Sequence, residues 1–238
     1  MRTIQPILII ILSIIILGSS SCNFNCVDPQ GPIITDTRVL ESFDGIHIEI
    51  PANAKLIVGG EPGIAITAPE SYVRAITTNI RRGVLQIVGD VCKADARDIV
   101  IEITVPSLDE IKISGSASVF SDTPVKSDDL ELNISGSGSI SLSVFTNSID
   151  AEINGSGSIL LNGTCQDLDL GINGSGGFKG LGLNSFKAIV KINGSGNASV
   201  VAHNKLHAKV NGSGDIGYSG DPEVNISISG SGKVNKIN

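Results

Sequence analysis

The chain has 238 residues, 41% of them hydrophobic but only 3% aromatic and none of them Trp, so its core must be aliphatic and its length suits one elongated domain. With 24 acidic against 17 basic side chains the net charge is −7, which argues against nucleic acid and against adsorption to anionic lipid headgroups.

Residues 1–21 carry one charge, Arg2, and an eleven-residue run, Ile7 to Leu17, that is apolar apart from Ser13. Such a run is too short to span a bilayer and fits the apolar stretch of a secretion leader. Gly18-Ser-Ser-Ser21 then leads into Cys22, the pattern of a bacterial lipoprotein cleavage site, although Ser19 stands where that pattern has leucine. The expectation is a signal peptide over 1–21, lipidation of Cys22 and a tether over 22–38. Loss of the leader takes the charge to −8, so membrane attachment falls to the acyl chains. Cys26, Cys92 and Cys165 follow, with no spacing that indicates zinc. One pair plus one free thiol is one reading, and Cys92 and Cys165 as small buried hydrophobes is the other.

No amphipathic helical stretch follows residue 21. From residue 113 onward a hydrophobic residue, then Asn or Ser, then Gly-Ser-Gly recurs seven times. The units fall at Gly115 (a variant, Ile113-Ser-Gly-Ser-Ala), Gly136, Gly155, Gly174, Gly194, Gly212 and Gly230, with steps of 21, 19, 19, 20, 18 and 18 residues. Before each unit the chain alternates apolar and polar, as in Leu130-Glu-Leu132-Asn-Ile134-Ser and Leu206-His-Ala208-Lys-Val210-Asn, which is the period of a strand with one buried face. A shorter run such as Ile140-Ser-Leu142-Ser-Val144 follows, and a turn-rich return closes the unit.

A period near 20 with one glycine corner per unit predicts a solenoid. The fold class is all-β, a single-stranded, right-handed, three-sided parallel β-helix over 39–238 with Gly-Ser-Gly corners. A β-sandwich of hairpins also has short strands and glycine turns, but does not require one tripeptide at one phase seven times. Glycine supplies positive φ or close backbone approach at a corner, and Asn154, Asn173, Asn193 and Asn211 are read as corner residues that tolerate the left-handed region. The inward column is Ile113, Ile134, Ile153, Ile172, Ile192, Val210 and Ile228. The five Asn-Gly-Ser/Thr sequons are read as corner chemistry without glycans.

Phe43-Asp-Gly-Ile-His-Ile-Glu-Ile-Pro51, Gly83-Val-Leu-Gln-Ile87, Ile101-Glu-Ile-Thr-Val-Pro106 and the repeated Ile/Val-Asn-Gly-Ser-Gly units together resemble the auto-transporter adhesin head GIN-domain family, whose signature Gly171-Ile172-Asn173 spells. The resemblance covers residues 39–238. It implies a β-helical envelope lipoprotein or secreted protein of Gram-negative bacteria, with adhesion as the named role and no catalytic residues to carry over.

For catalysis the repeats are poorly equipped: the last arginine is Arg97, and His203 and His207 have no acid partner at a fixed coil spacing. Aromatic sugar-stacking is limited to Tyr218, Phe178, Phe186 and a few scattered Phe. The column five residues before each corner glycine, Glu110, Glu131, Asp150 and Asp169, stacks carboxylates in successive coils. It reads either as a solvated acidic face or as an oxygen-ligand site for Ca²⁺. Farther along, Lys191, Lys205, His207 and Lys209 make the outward positions basic. No cofactor or metal is expected.

These readings add up to a non-catalytic, lipid-anchored outer-membrane protein that displays a β-helical surface to a protein or glycan ligand. The rivals are a periplasm-facing structural or stress-associated envelope protein and a polysaccharide-processing β-helix enzyme. The last run, Val234-Asn-Lys-Ile237, leaves a strand edge. Asn235, Lys236 and Asn238 blunt it, or a second subunit covers it in a homo-oligomer.

Overall fold

The computed structural model describes residues 26–92, 94–95 and 97–237. The expected leader, Cys22 and Asn238 lie outside the described residues. The chain is 70% strand and 3% helix and forms a β-solenoid of about seven turns.

The repeats build it as the alternation predicts. Strands β10 (Val125–Lys126), β11 (Asp129–Gly136), β12 (Ser139–Gly155), β13 (Ser158–Gly174), β14 (Gly177–Gly194) and β15 (Asn197–Gly212) follow in chain order, then β16 (Asp215–Ser219), β17 (Glu223–Gly230) and β18 (Lys233–Lys236). Each coil pairs in parallel with the next, and glycine falls on glycine: Gly136 on Gly155, Gly155 on Gly174, Gly174 on Gly194, Gly194 on Gly212 and Gly212 on Gly230. The inward column is in register as well. Ile113 through Val210 are fully buried, and burial of each such side chain contributes about 1.5–3 kcal/mol. The exception is Ile228, which pairs with Val210 yet is 44% exposed, because no further coil stacks on it among the described residues.

The two glycines of each Gly-Ser-Gly have different jobs. Gly155 has φ +131°, and a Cβ there would sit 2.5 Å from the Gly136 carbonyl oxygen. Gly157 needs no positive φ, but a Cβ would lie 2.6 Å from Cγ2 of Ile134 in the preceding coil. Strand pairing carries through the break: Ser156 N–H donates to Gly136 O at 2.9 Å and Ser158 N–H to Gly138 O at 3.0 Å. The asparagines differ from expectation. Arg82 is the one non-glycine residue with positive φ among those described, so Asn154, Asn173, Asn193 and Asn211 are extended. Their side chains form a ladder instead, Asn173 donating to Asn154, Asn193 to Asn173 and Asn211 to Asn193, each at 2.9 Å.

The turn-rich returns are also strand. From Ser139↔Ser158 to Thr146↔Cys165 the pairing of β12 with β13 is unbroken, and it resumes at Ser148↔Asp167. The longer coil that holds Gly180–Leu183 absorbs its extra residues as bulges against β13 and β15.

The first half is assembled out of chain order. Strands β2 (Gly45–Ile48) and β3 (Asn53–Val58) form a coil that is sandwiched between β6 (Val84–Val88) with β7 (Val100–Val105) on one side and β8 (Glu110–Gly115) with β9 (Ser118–Ser121) on the other. The chain lays down one coil, caps it, and returns to its opposite side to start the repeats. The cap is antiparallel. β4 (Gly63–Pro69) pairs with β7 and with β1 (Ile33–Val39), and β5 (Thr77–Arg81) pairs with β6 through a tight hairpin at Arg82-Gly83, both of positive φ. A six-residue helix, α1 (Glu70–Ala75), links β4 to β5 and buries Tyr72 and Val73, an element the sequence reading did not anticipate. Residues 26–38, expected to belong to the tether, are part of this cap: Cys26 is bonded to Cys92, Val27 bridges Val91, and β1 joins the antiparallel layer. Cys92 is therefore not a buried hydrophobe, whereas Cys165 is free and buried, its thiol pushed up to about 12 mainly by burial.

Candidate binding surface

The strand before each Gly-Ser-Gly turns alternate residues inward and leaves an outward set that stacks, coil on coil, into straight columns. Buried ladders on the other side fix those columns, so the spacing of the outward groups is set by the backbone. Nearest the corner runs the asparagine amide ladder.

The column Glu110, Glu131, Asp150, Asp169 is in register as the sequence predicts. It continues as Ile189, His207 and Asn225. The neighbouring outward positions add Asp129, Glu152 and Asp167, so three successive coils each present two carboxylates. Repulsion within the column is visible on Asp150, whose carboxyl is pushed up by partial burial, then by Asp169, Glu131 and Glu152. Glu110 is raised in the same way by burial and Glu131. Among the described residues no three His, Cys, Asp or Glu side chains converge to hold a metal ion. Stacked carboxylates project side by side rather than toward a common point.

The next two coils reverse the sign. Lys187 and Lys191, then Lys205, His207 and Lys209, occupy the outward positions. Lys187 was not singled out in the sequence because its register, opposite Asp167 and Lys205, depends on how the Gly180–Leu183 bulge is absorbed. At the seam Lys191 Nζ lies 3.3 Å from both carboxylate oxygens of Asp169 and Lys187 Nζ 3.7 Å from Asp167. These pairs are half exposed and contribute little stability. Their consequence is a face that runs from acid to base along the axis.

Gly171 sits in the middle of this face, between Glu152 and Lys191 in the same column. Unlike the first glycine of each Gly-Ser-Gly it has no positive φ, and unlike the second it is not crowded: a Cβ there would meet nothing nearer than Glu152 Cγ at 3.7 Å. The backbone therefore does not require glycine at this point. Its effect is a notch of about 260 Å³ bounded by Asp150, Glu152, Asp169, Asn173, Lys191 and Asn193. Asn173 holds one wall by donating to Glu152 Oε1 at 3.2 Å. A second depression of about 230 Å³ lies on the basic side, between Lys187, Ile189, Lys205 and His207.

His203 and His207 do not form a site together. His203 Nε2 is 3.2 Å from Asn184 Oδ1, whereas His207 stands in the column of Ile189. The aromatic groups are dispersed too: Phe178 is buried and Phe186 exposed.

Residues 42–222 match the family described as "Putative auto-transporter adhesin, head GIN domain". Among solved structures the chain is similar to a "putative adhesin" from Bacteroides fragilis NCTC 9343, with 23% identity and a TM-score of 0.83 over 89% of this chain and 100% of that one. It is also similar to a "putative lipid binding protein" from Parabacteroides distasonis ATCC 8503, with 26% identity, TM-score 0.74 and coverage of 89% and 99%. A "putative adhesin" from Parabacteroides merdae ATCC 43184 matches with 24% identity, TM-score 0.71 and the same coverage. No curated protein matches the chain.

Proposed function

Because the chain belongs to the auto-transporter adhesin head GIN-domain family, we propose that it is a non-catalytic binding module of the cell envelope that presents the ladder face to a glycan or protein ligand. The observation that carries this reading is the notch over Gly171, kept open by a glycine that the backbone does not need and lined by carboxylates and amides. Carboxylate acceptors beside amide donors suit a hydroxyl-rich ligand, and a glycine inside a strand often marks close approach by another molecule. Lipid on Cys22 holds the protein at the outer membrane, and the rigid stack sets the face away from the bilayer.

Two experiments test this. Gly171→Val fills the notch with a residue that strands favour. In the full chain displayed on cells, it should reduce capture on immobilised mucin and neutral polysaccharides at least tenfold while leaving the melting temperature unchanged or higher. Equal capture by the variant, or none by the wild type, would overturn the reading. Protease shaving of intact cells addresses location: digestion of the wild type and release of Cys22→Ala into the medium fit surface display. Protection until the outer membrane is permeabilised moves the protein to the periplasm and replaces adhesion with an envelope partner.

A further inference from the structure

The two ends of the stack are finished differently. At the first end, the outer edges of β6 and β7 are covered by antiparallel strands, β5 and β4. Beyond them β1 carries Asp36 and Arg38 on its inward side, and Arg38 donates to Asp36, to Thr78 Oγ1 at 3.0 Å and to the Ile76 carbonyl at 3.2 Å. Inward charges of this kind protect a strand edge from pairing.

Among the described residues the last coil has none of this. There β17 pairs only with β15 and β18 only with β16, so one edge of each carries backbone N–H and C=O groups with no described strand opposite. Above that edge the core is open: Ile226 and Ile228 are 46% and 44% exposed, with Val224 and Val234 half-buried beside them. Lys236, read from the sequence as an edge-blunting charge, is folded back onto Asp221 of its own chain.

We propose that this end pairs with the same end of a second copy, β17 running antiparallel to its counterpart about a two-fold axis. The chain's other end shows that antiparallel strands can close this stack. The charge pattern selects a like end: Glu223 opens β17, and the next charge along the chain is Lys233, just past the far end of the strand. An antiparallel pair therefore brings Glu223 of each copy to the end where Lys233 of the other stands, twice over. Head-to-tail stacking, by contrast, would have to use the edge that β1 and Arg38 block, and a two-fold contact closes where a head-to-tail one propagates. The contact uses the end and leaves the Gly171 notch exposed, so it stands or falls apart from the ligand reading.

Ser227 lies near the proposed axis and faces outward, so Ser227→Cys in the full chain should form a disulfide with its own copy when cells are oxidised. More than half of the protein should shift to a band of twice the monomer mass on a non-reducing gel. Thr37→Cys, on β1 at the capped end, should give no such band. Adding Ile226→Asp and Ile228→Asp to Ser227→Cys should return it to monomer, and these exposed positions spare the fold. A cross-linked band of any other mass would overturn the proposal, as would a dimer that survives the double substitution. So would a purely monomeric Ser227→Cys protein that melts like the wild type.

Discussion

The two ends of this solenoid solve the same problem to different degrees. A parallel stack always exposes two edges and two cross-sections of core. The first end spends about a third of the chain, including an out-of-order coil, an antiparallel layer, a helix and a disulfide, on closing them. Among the described residues, the last end stops at β17 and β18 with Ile226 and Ile228 open to solvent. The interior between them is uniform, so the value of any inward residue should depend on its distance from the open end.

Ile172→Asp and Ile228→Asp break that comparison most sharply, since they place the same charge in the same column. At Ile172, fully buried, an unpaired carboxylate should cost on the order of 4 kcal/mol or more and leave little folded protein. At Ile228, 44% exposed, the cost should be below about 1 kcal/mol, as read from urea melts of the two variants at a dilution where the protein is monomeric. Equal losses would mean that the last coil is covered in the isolated chain.

The cap should respond next. Cys26→Ser with Cys92→Ser releases a link across 66 residues and should cost about 2–4 kcal/mol. Limited proteolysis should then open residues 26–40 first and leave the repeats resistant. Among the glycines, Gly155→Ala places a Cβ 2.5 Å from a backbone oxygen at φ +131° and should cost about 1–3 kcal/mol, whereas Gly171→Ala should be neutral within about 0.5 kcal/mol. The smallest effect belongs to the acidic column. Because the carboxyl of Asp150 is raised in the folded state, that state holds the proton more tightly than the unfolded chain does. Stability is then lost at neutral pH and regained as the pH falls toward the ordinary value of 3.8. Asp150→Asn should stabilise by no more than about 0.5 kcal/mol at pH 7, screened as the site is, with the gain disappearing below about pH 4 in thermal melts.

The repeats were legible because their physics is local and periodic. Gly155 and Ile172 are dictated by the coil next door, which carries the same residues, so one reading of the period placed the inward column, the glycine register and the acidic ladder together. What was missed is what periodicity does not encode. The stacking of β2 and β3 between later strands is a non-local choice that no spacing records, and so is the pairing of Cys26 with Cys92. The asparagines were found for an imperfect reason: a left-handed corner and a side-chain amide ladder both favour Asn, and only φ separates them. Gly171 interrupted the outward alternation in plain view. Among so many glycines, one with room for a side chain on the charged face did not stand out until its neighbours could be measured.

Amide hydrogen exchange on the purified full chain, followed by mass spectrometry across a range of protein concentrations, tests the contrast between the ends most directly. A closed first end and a self-pairing last end predict that β5, β6 and β7 exchange slowly at every concentration, while β17 is slow when concentrated and fast on dilution. Equal protection of β17 and β6 at all concentrations, or a β17 that exchanges fast throughout, would contradict it.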